Sequence, residues 1–420
     1  MSTTRRTHVC RIQNHSQVAG AFDRHGWSAS KLWNVGRYYI QQQWDETGEI
    51  PDEGELKREL KAHSKYNGLH SQSSQKVLEE LSQAFSSWYG SDDDDRDNPP
   101  GYRKRNYYDK DSNRVHEEHP RSTVTWKQKG IRHDTKYNRI RLSKGKTHKD
   151  GRDFILCEYE TPPEVTLQHI HQVRAVWCSY KQRWELHVVC EEEITAESPG
   201  EKVAGVDLGI CNPAAVAFPD DALLYPGFTL REDKHYFQRE EYQTEGNHGP
   251  SQKARWAREK LTRRKDHFLH ALSKDIVERC VAHDVGTLVV GDPSGVDEDD
   301  WGRHGNKCLD NWAYKRVMNL IDYKARERGI EVEMPDERGT SSSCSVCGHE
   351  DDESRVERGL WKCGRCGVVA HGDINGADNI RQKTLPVTPP LGDSGNGCLA
   401  QPRVIQFSRT HGFQPRATAK

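Results

Sequence analysis

The chain has 420 residues, of which 33% are hydrophobic and 30% are charged, with 12 cysteines and a formal net charge of −2 at pH 7. This length suits two or three domains, and the polar content predicts extensive solvated or polar surface. No run of 18 apolar residues is present and the N-terminus is polar, so we expect no membrane span, no signal peptide and a cytoplasmic location.

The first half of the chain predicts a β domain that carries a helical insert. The sequence predicts a strand over Thr7–Gln13, and helical periodicity with a Ser cap extends over residues 29–90. Residues 102–195 alternate apolar and polar side chains at period two, which predicts antiparallel strands, with a barrel as one arrangement of them. We therefore expect a β domain built from residues 1–28 and 102–195, with the insert at 29–101.

The second half predicts an α/β domain interrupted by a cysteine-rich segment. Apolar strands and a long basic helix at roughly 251–284 indicate a domain formed by residues 196–339 and 372–385. The cysteine-rich segment covers residues 340–371. Residues 386–420 are rich in Pro and Gly without periodicity, which predicts a disordered tail.

Two Cys-x2-Cys pairs predict a metal centre. Cys344 and Cys347 form the first pair, and Cys363 and Cys366 form the second after a spacer of 15 residues. Two intervening residues allow both thiolates of a pair to bind one ion, and two pairs complete the tetrahedral shell of zinc. Four unrelated thiols or a redox pair are the alternatives. A closed shell leaves no position for substrate, so the zinc is expected to be structural.

Acidic residues at the ends of predicted elements are candidate ligands of divalent cations. Asp207 lies in an apolar strand, where an unpaired carboxylate is costly, and Asp373 lies at the start of a helix. A turn and a helix N-cap are the respective alternatives. Mg²⁺ prefers oxygen ligands, and carboxylates that hold two ions ~3.5–4 Å apart can support phosphodiester hydrolysis.

The identity of a third carboxylate stays open between Glu337 and Asp292. Asp292 follows a buried strand, and Glu337 follows the next predicted strand. Neighbouring strands lie ~4.8 Å apart and end at one edge of a sheet, so either acid could reach the same ions. A solvated acid at the end of a strand is the alternative for Glu337. Asp378 is expected to lie further around the last helix and to be more exposed.

The basic helix predicts contacts with phosphate groups. Seven basic residues face a single acid, Glu259, within 13 positions. This imbalance favours a nucleic-acid-binding surface over an ordinary solvated helix face, which is the alternative. The seven residues are Lys253, Arg255, Arg258, Lys260, Arg263, Arg264 and Lys265.

The order of these motifs resembles that of a known family. AGVDLGI, VVGDPSG, GTSSSCSVCG, KCGRCG and HGDINGADNI follow one another as in the TnpB (OrfB) proteins of bacterial and archaeal insertion sequences. The motifs also resemble the nuclease half of type V CRISPR effectors. The resemblance is tightest over residues 202–382 and looser over residues 29–195.

The resemblance implies an α/β RNase H-like (RuvC) nuclease domain with an inserted zinc ribbon, and an N-terminal β-barrel-like wedge domain with a helical recognition insert. It implies an endonuclease guided by an RNA from the transposon end, which cuts double-stranded DNA beside a transposon-adjacent motif. Its cofactors would be one structural Zn²⁺ and two catalytic Mg²⁺. Asp207 and Asp373 match the family's first and last catalytic aspartates.

The family's middle catalytic residue is usually a Glu, and the matching position here is Gly291. In one interpretation the acid has moved to Glu337, with Asp292 as the substitute candidate, and cleavage is retained. In a second, the protein binds guided DNA without cutting it. A zinc-ribbon DNA-binding accessory protein without a guide is a third interpretation.

Overall fold

The computed structural model describes residues 3–90, 98–103, 105–108, 114–118, 120–163, 165–179, 181–239, 242, 252–293, 314–350, 354–357, 359–384 and 397–416. The chain divides into two compact units, which meet in the sequence between Glu193 and Ile194. Among the helices of the described segments, none combines the length and the apolar character needed to cross a membrane.

In its described residues, the first unit contains three α-helices and a seven-stranded antiparallel sheet. Its helices are α1 (His15–Thr47), α2 (Glu53–Leu60) and α3 (Ser71–Tyr89). A separate hairpin is formed by β2 (Arg105–Tyr108) and β3 (Arg114–Glu118). The sheet consists of β1 (Thr3–Ile12), β4 (Val124–Lys127), β5 (Ile131–Asp134), β6 (Arg139–Ser143), β7 (Phe154–Glu160), β8 (Ile170–Cys178) and β9 (Arg183–Glu193).

The sheet of the first unit curls towards a barrel. Its strand order is β4-β8-β9-β1-β7-β6-β5, so β4 and β5 lie at opposite ends of the ladder. Only the short turn Gln128–Gly130 separates these two strands in the chain. In a flat sheet the ends would lie ~29 Å apart, whereas the four Cα steps from Lys127 to Ile131 span at most ~15 Å. The sheet must therefore curve strongly.

Helix α1 begins at His15, so the predicted start of the helical segment at residue 29 is wrong. Ser30 lies near the predicted Ser cap, but it is buried in the interior of α1. Its hydroxyl donates to the Gly26 carbonyl at 3.0 Å. Val18 and Phe22 are buried one turn apart, and this extends the apolar face towards the N-terminus. Polar residues between them conceal that periodicity in the sequence.

The second unit is built around a mixed seven-stranded sheet of order β14-β13-β10-β11-β12-β18-β19. Its strands are β10 (Lys202–Asp207), β11 (Ala214–Ala217), β12 (Ala222–Tyr225), β13 (Val285–Val290), β14 (Glu331–Glu333), β18 (Arg403–Ser408) and β19 (Gly412–Pro415). Its helices are α4 (Phe228–Phe237), α5 (Gln252–Ala282), α6 (Tyr314–Arg326) and α7 (Gly372–Lys383). β10, β11 and β12 form an antiparallel meander, and β13 and β14 run parallel to β10.

The two faces of this sheet pack against different helices. Val206 and Val290 belong to the core that contains α5 and α6, whereas Val203 and Val289 contact Ile380 of α7. Side chains alternate between faces along a strand, so Gly205 and Asp207 lie on the same face of β10 as Val203, and Gly291 continues the face of Val289 at the end of β13. Asp207 and Gly291 are consequently directed towards α7.

Helix α7 lies directly on β10 because Gly205 has no side chain. A Cβ atom at Gly205 would lie 2.1 Å from the Ala377 carbonyl oxygen and 2.7 Å from the Arg381 Cβ. Both neighbours belong to α7, so the helix as a whole would have to move. The glycine therefore fixes the depth at which α7 packs on the sheet.

We expect Gly205→Ala to lower the free energy of unfolding by about 3 kcal/mol, the upper part of the range for overpacked cores. Urea denaturation measures this change. The matched control is Gly101→Ala, since nothing lies within 4 Å of a Cβ atom at that position. Equal stability of the Gly205 variant and the wild type would contradict the close packing of α7 on β10.

The prediction of a disordered tail is wrong for the last described segment. β18 runs parallel to β12 and pairs with β19, which extends the sheet. Ile405, Phe407 and Phe413 are buried in the same core as α5. The Pro and Gly content of the surrounding sequence conceals this short alternation of apolar residues. The parts of the predicted tail at 386–396 and 417–420 lie outside the described residues.

Candidate functional site

The four predicted cysteines converge on one point. Their segment also forms a small sheet of β15 (Arg355–Glu357), β16 (Leu360–Lys362) and β17 (Val369–His371), and Cys363 directly follows β16. All four sulfur atoms lie within 4.8 Å of one another. The Cys344–Cys366 sulfur separation is 3.7 Å and the Cys347–Cys363 separation is 3.6 Å. Tetrahedral zinc with Zn–S bonds of ~2.3 Å requires separations of ~3.8 Å, so the cysteine cluster fits structural zinc.

The two cysteine pairs adopt the same turn. The Gly348 amide donates to the Cys344 carbonyl at 2.8 Å, and the Gly367 amide donates to the Cys363 carbonyl at 3.0 Å. Both glycines have positive φ angles, 67° and 75°, which side-chain-bearing residues rarely adopt. Burial opposes ionisation of Cys363, but backbone amides from Cys366 and Arg365 outweigh it and lower the thiol pKa to about 6.

Side-chain amides of α7 bind the backbone of the first cysteine pair. Asn375 accepts from the Ser345 amide at 3.0 Å and donates to the Ser343 carbonyl at 2.8 Å. Asn379, one turn later, donates to the Thr340 carbonyl at 2.7 Å. The cysteine segment is thereby attached to the helix that carries Asp373. Sequence analysis missed these two amides, although their spacing of four residues on a helix was a usable signal.

Asp207 and Asp373 lie at the same end of α7. The Asp207 Oδ2 atom lies 2.9 Å from the position that a Cβ of Gly376 would occupy. Residues three apart on a helix have Cβ atoms ~5–6 Å apart, so this oxygen lies within ~9 Å of the Asp373 Cβ. Asn212 donates to the Asp373 Oδ2 at 2.7 Å and orients that carboxylate.

Asp373 is not the N-cap of its helix. His371 occupies that position, and its Nδ1 accepts from the Asp373 amide at 3.3 Å. The capping alternative that the sequence left open for Asp373 is therefore wrong. The Asp373 carboxylate therefore takes no part in capping the helix.

The Glu337 side chain fills the space beside Gly291. A Cβ atom at Gly291 would lie 2.8 Å from the Glu337 Oε2 and 2.6 Å from the Ile380 Cδ1. The parallel pairing of β13 and β14 continues beyond both strands as a bridge between Asp292 and Asp336, which brings Glu337 to this place. Asp207 is the in-register neighbour of Gly291, because Val206 pairs with Val290. Thus Glu337 and Asp207 occupy adjoining positions on the α7 face.

The buried oxygen of Glu337 has the character of an unused ligand. Within the described segments Oε2 has no hydrogen-bond partner. Burial, followed by the charge of Asp292, raises the pKa of Glu337 from 4.5 to about 7, and Lys383 partly opposes this. A divalent cation would satisfy the orphaned oxygen and favour its charged form.

The acids are more widely spaced than the cysteines. In the part of the chain that the structure describes, only the cysteine group has every ligand atom within 4.8 Å of the others. Two Mg²⁺ ions of such a site lie ~3.5–4 Å apart, with Mg–O bonds of ~2.0–2.1 Å. Ligand atoms on opposite sides of the two ions can therefore lie up to ~8 Å apart. Asp207, Glu337 and Asp373 do not meet the 4.8 Å limit of a site for one ion, and this wider arrangement is compatible with a pair of ions.

Stability should depend on pH through Glu337. Its proton is bound more tightly in the folded state, so the contribution of Glu337 to the free energy of unfolding is largest below pH 4.5 and is lost as the pH rises through about 7. The loss should reach roughly 3 kcal/mol, and Glu337→Gln should remove it. Urea unfolding at pH 5 and pH 8, without added Mg²⁺, measures the effect. Identical pH dependence in the variant and the wild type would rule the prediction out.

The expectation that Asp378 is the more exposed acid of α7 is wrong. Asp378 is fully buried and forms an ion pair of 2.8 Å with the equally buried Arg381. Gln382 donates to its second oxygen at 3.1 Å. Arg381, three residues later on the same helix, compensates the buried charge, and this allows Asp378 to face inward.

The predicted basic surface divides into exposed and internally bound residues. Lys253, Arg255 and Arg258 are exposed on α5. Arg264 binds Asp233, which is 4% exposed and also binds Arg409 at 2.5 Å. The other three predicted basic residues are partly buried: Lys260, Arg263 and Lys265. The first half of α5 therefore presents the accessible positive charge.

Two family models match the second unit and the residues just before it. A model described as "Probable transposase", of the OrfB type of IS605 elements, matches residues 187–297. A model described as "Cas12f1-like, TNB domain" matches residues 314–380, which include all four cysteines and Asp373. Residues 187–297 are therefore similar to a probable transposase, and residues 314–380 are similar to the TNB domain of Cas12f1-like proteins.

Individual relatives agree with these two matches. The chain is 26% identical to the TnpB-like protein ORF457 of Acidianus two-tailed virus over 92% of the chain and 88% of that protein. It is 27% identical to the CRISPR-associated endodeoxyribonuclease Cas12f1 of Sulfoacidibacillus thermotolerans, over 48% of the chain and only half the length of that relative. These matches relate the chain to the TnpB family and to the type V CRISPR effectors.

The fold has a counterpart among solved structures. The protein in the cryo-EM structure of a Cas12f1–sgRNA–target DNA complex is similar, with a TM-score of 0.59 and 14% sequence identity. The similarity covers 88% of the chain and 83% of that protein. At this level of identity the comparison establishes a shared fold.

Proposed function

We propose that the chain is an RNA-guided, metal-dependent DNA endonuclease encoded by an insertion sequence, which cuts DNA next to a transposon-adjacent motif. The observation that carries this proposal is the placement of Glu337. Its carboxylate occupies the space beside Gly291, next to Asp207, and so supplies a third acid where the family's middle catalytic Glu is missing. The mixed sheet and its parallel strands β10, β13 and β14 support an RNase H-like (RuvC) core with an inserted zinc ribbon.

The proposed chemistry is two-metal phosphodiester hydrolysis. Asp207, Glu337 and Asp373 would hold the ions, with Asp292 as the substitute candidate for the third acid. Two Mg²⁺ ions bound there supply activation of a water molecule and stabilisation of the departing oxygen. Asn212 orients the Asp373 carboxylate through its hydrogen bond of 2.7 Å. Gly376, which has no side chain, leaves room for the Asp207 carboxylate.

The proposed partners are a guide RNA from the transposon end and a double-stranded DNA target. Base pairing with the guide would select the target, while the protein holds both backbones. The curved sheet of the first unit would act as the wedge domain, and its helices would act as the recognition insert. The exposed cations of α5 would contact phosphate groups.

A non-cutting, RNA-guided DNA-binding protein is the second candidate. It is favoured by one observation, the presence of Gly291 at the position of the family's middle catalytic residue. The two candidates share the guide RNA and differ only in cleavage.

Purification of the full chain with its transposon-end RNA, followed by incubation with a guide-matched plasmid, separates the candidates. We expect Mg²⁺-dependent cleavage by the wild type and none by Asp207→Asn, with equal binding of guided DNA. Guided binding without cleavage by the wild type would favour the second candidate. Absence of co-purifying RNA would contradict both.

Loss of the exposed cations should weaken DNA binding in a salt-dependent way. We expect the combined Lys253→Ala, Arg255→Ala and Arg258→Ala variant to reduce the slope of log K against log salt by up to about 3, since each lost phosphate contact contributes ~0.9. Fluorescence anisotropy at several salt concentrations measures the slope. Lys274→Ala, an exposed residue nearer the other end of α5, is the control. An unchanged slope would exclude this surface from the DNA interface.

A further inference from the structure

Lys383 contacts the backbone on both sides of Glu337. Its Nζ, in the last turn of α7, donates to the Asp336 carbonyl oxygen and to the Arg338 carbonyl oxygen, the latter at 3.0 Å. These are the two residues that flank the proposed third acid.

The segment that carries Glu337 needs such support because little regular structure holds it. β14 ends at Glu333, four residues earlier, and is only three residues long. The Asp292 amide donates to the Pro335 carbonyl at 2.9 Å, but the return bond from the Glu337 amide to the Asp292 carbonyl is long, at 3.4 Å. The sheet therefore fixes the start of the segment better than it fixes Glu337.

A side chain at position 291 would not need this support. The Gly291 amide donates to the Val206 carbonyl at 2.9 Å, so this position belongs to the hydrogen-bonded edge between β10 and β13. An acid there would be placed by the sheet itself. An acid that reaches the same space from residue 337 depends on contacts of its own loop.

Helix α7 can set the relative positions of the acids because it contacts both ends of the site. Its first turn carries Asp373, and its last turn carries Lys383. A second contact reinforces the link, since Asn379 donates to the Thr340 carbonyl at 2.7 Å and the Thr340 hydroxyl donates to the Glu337 carbonyl at 2.8 Å. One rigid element thus sets the separation between Asp373 and the Glu337 loop.

We propose that Lys383 is a positioning residue for Glu337: by binding the carbonyls on either side, it holds the Glu337 carboxylate in the space beside Gly291. This inference rests on the proposed function. It predicts that metal binding and cleavage depend on Lys383, because the third acid is carried by a loop and not by a strand of the sheet.

The first test compares substitutions of Lys383 in the full chain with its guide RNA. Lys383→Met should reduce the cleavage rate at saturating DNA 10- to 100-fold, the range for residues that orient metal ligands. It should also weaken the affinity for Mn²⁺, measured by electron paramagnetic resonance titration, about 10-fold. Lys383→Arg should restore most of both, since it can donate to two carbonyls. Lys362→Met, which changes an exposed residue of β16, is the control.

The second test moves the third acid from position 337 to position 291, at the end of β13. In the double variant Gly291→Glu with Glu337→Gly, Lys383→Met should change the cleavage rate less than about threefold. An equal loss in the wild-type and double-variant backgrounds would overturn the role of Lys383 and leave the proposed function standing. If the double variant does not cut, Mn²⁺ affinity decides, and unchanged affinity in Lys383→Met overturns the proposal. A wild type that binds guided DNA without cutting overturns both.

Discussion

Replacement of Glu337 with Gln should reduce Mg²⁺-dependent cleavage about 10³-fold or more, because a metal ligand contributes several kcal/mol to transition-state stabilisation. Gln has nearly the same size as Glu and cannot carry the negative charge. Binding of guide RNA and target DNA should remain close to that of the wild type. Single-turnover cleavage of a guide-matched duplex, with a parallel binding assay, measures both quantities.

The matched control for this variant is Asp292→Asn. Asp292 lies next to Glu337 and raises its pKa, but the space beside Gly291 is filled by the Glu337 carboxylate. We therefore expect a much smaller change in the cleavage rate for Asp292→Asn. A large loss for Asp292→Asn with little change for Glu337→Gln would reverse the assignment of the third acid.

Loss of the cysteine centre should have the second large effect. Cys344→Ser is expected to abolish stoichiometric zinc binding, because structural zinc contributes on the order of 10–16 kcal/mol of apparent binding free energy to such sites. The cysteine segment should then unfold locally. Cleavage should fall with it, since Asn375 and Asn379 attach α7, and therefore Asp373, to that segment.

Zinc content, thermal melting and cleavage of the full chain test this prediction together. Cys178→Ser is the control, because Cys178 lies in the sheet of the first unit and is not one of the four clustered cysteines. The control should retain one zinc ion per chain. A Cys344→Ser protein that keeps its zinc and its melting temperature would contradict a structural role for the centre.

Features encoded by local spacing could be predicted from the sequence. The two cysteine pairs determine their own knuckle geometry, because each turn closes within five residues around a glycine. The strand that ends in Asp207 and the helix that begins near Asp373 follow from apolar runs and their boundaries. These elements fix which end of the sheet the acids share.

Features that depend on long-range packing could not be predicted. Strand β18 lies far from its partner β12 in the sequence, and its Pro- and Gly-rich surroundings suggest disorder. Burial of Asp378 depends on the close approach of α7 to Gly205, which no periodicity reveals. In the same way, the role of Lys383 follows only from the position of the last turn of α7 against the Glu337 loop.

Mn²⁺ binding tests the central claim most directly. We expect anomalous diffraction from crystals of the full chain grown with guide RNA and Mn²⁺ to contain two peaks ~3.5–4 Å apart, bounded by Asp207, Glu337 and Asp373. Glu337→Gln should lose at least one of these peaks. Two peaks that persist in Glu337→Gln, or no peak beside Asp207 in the wild type, would contradict the account.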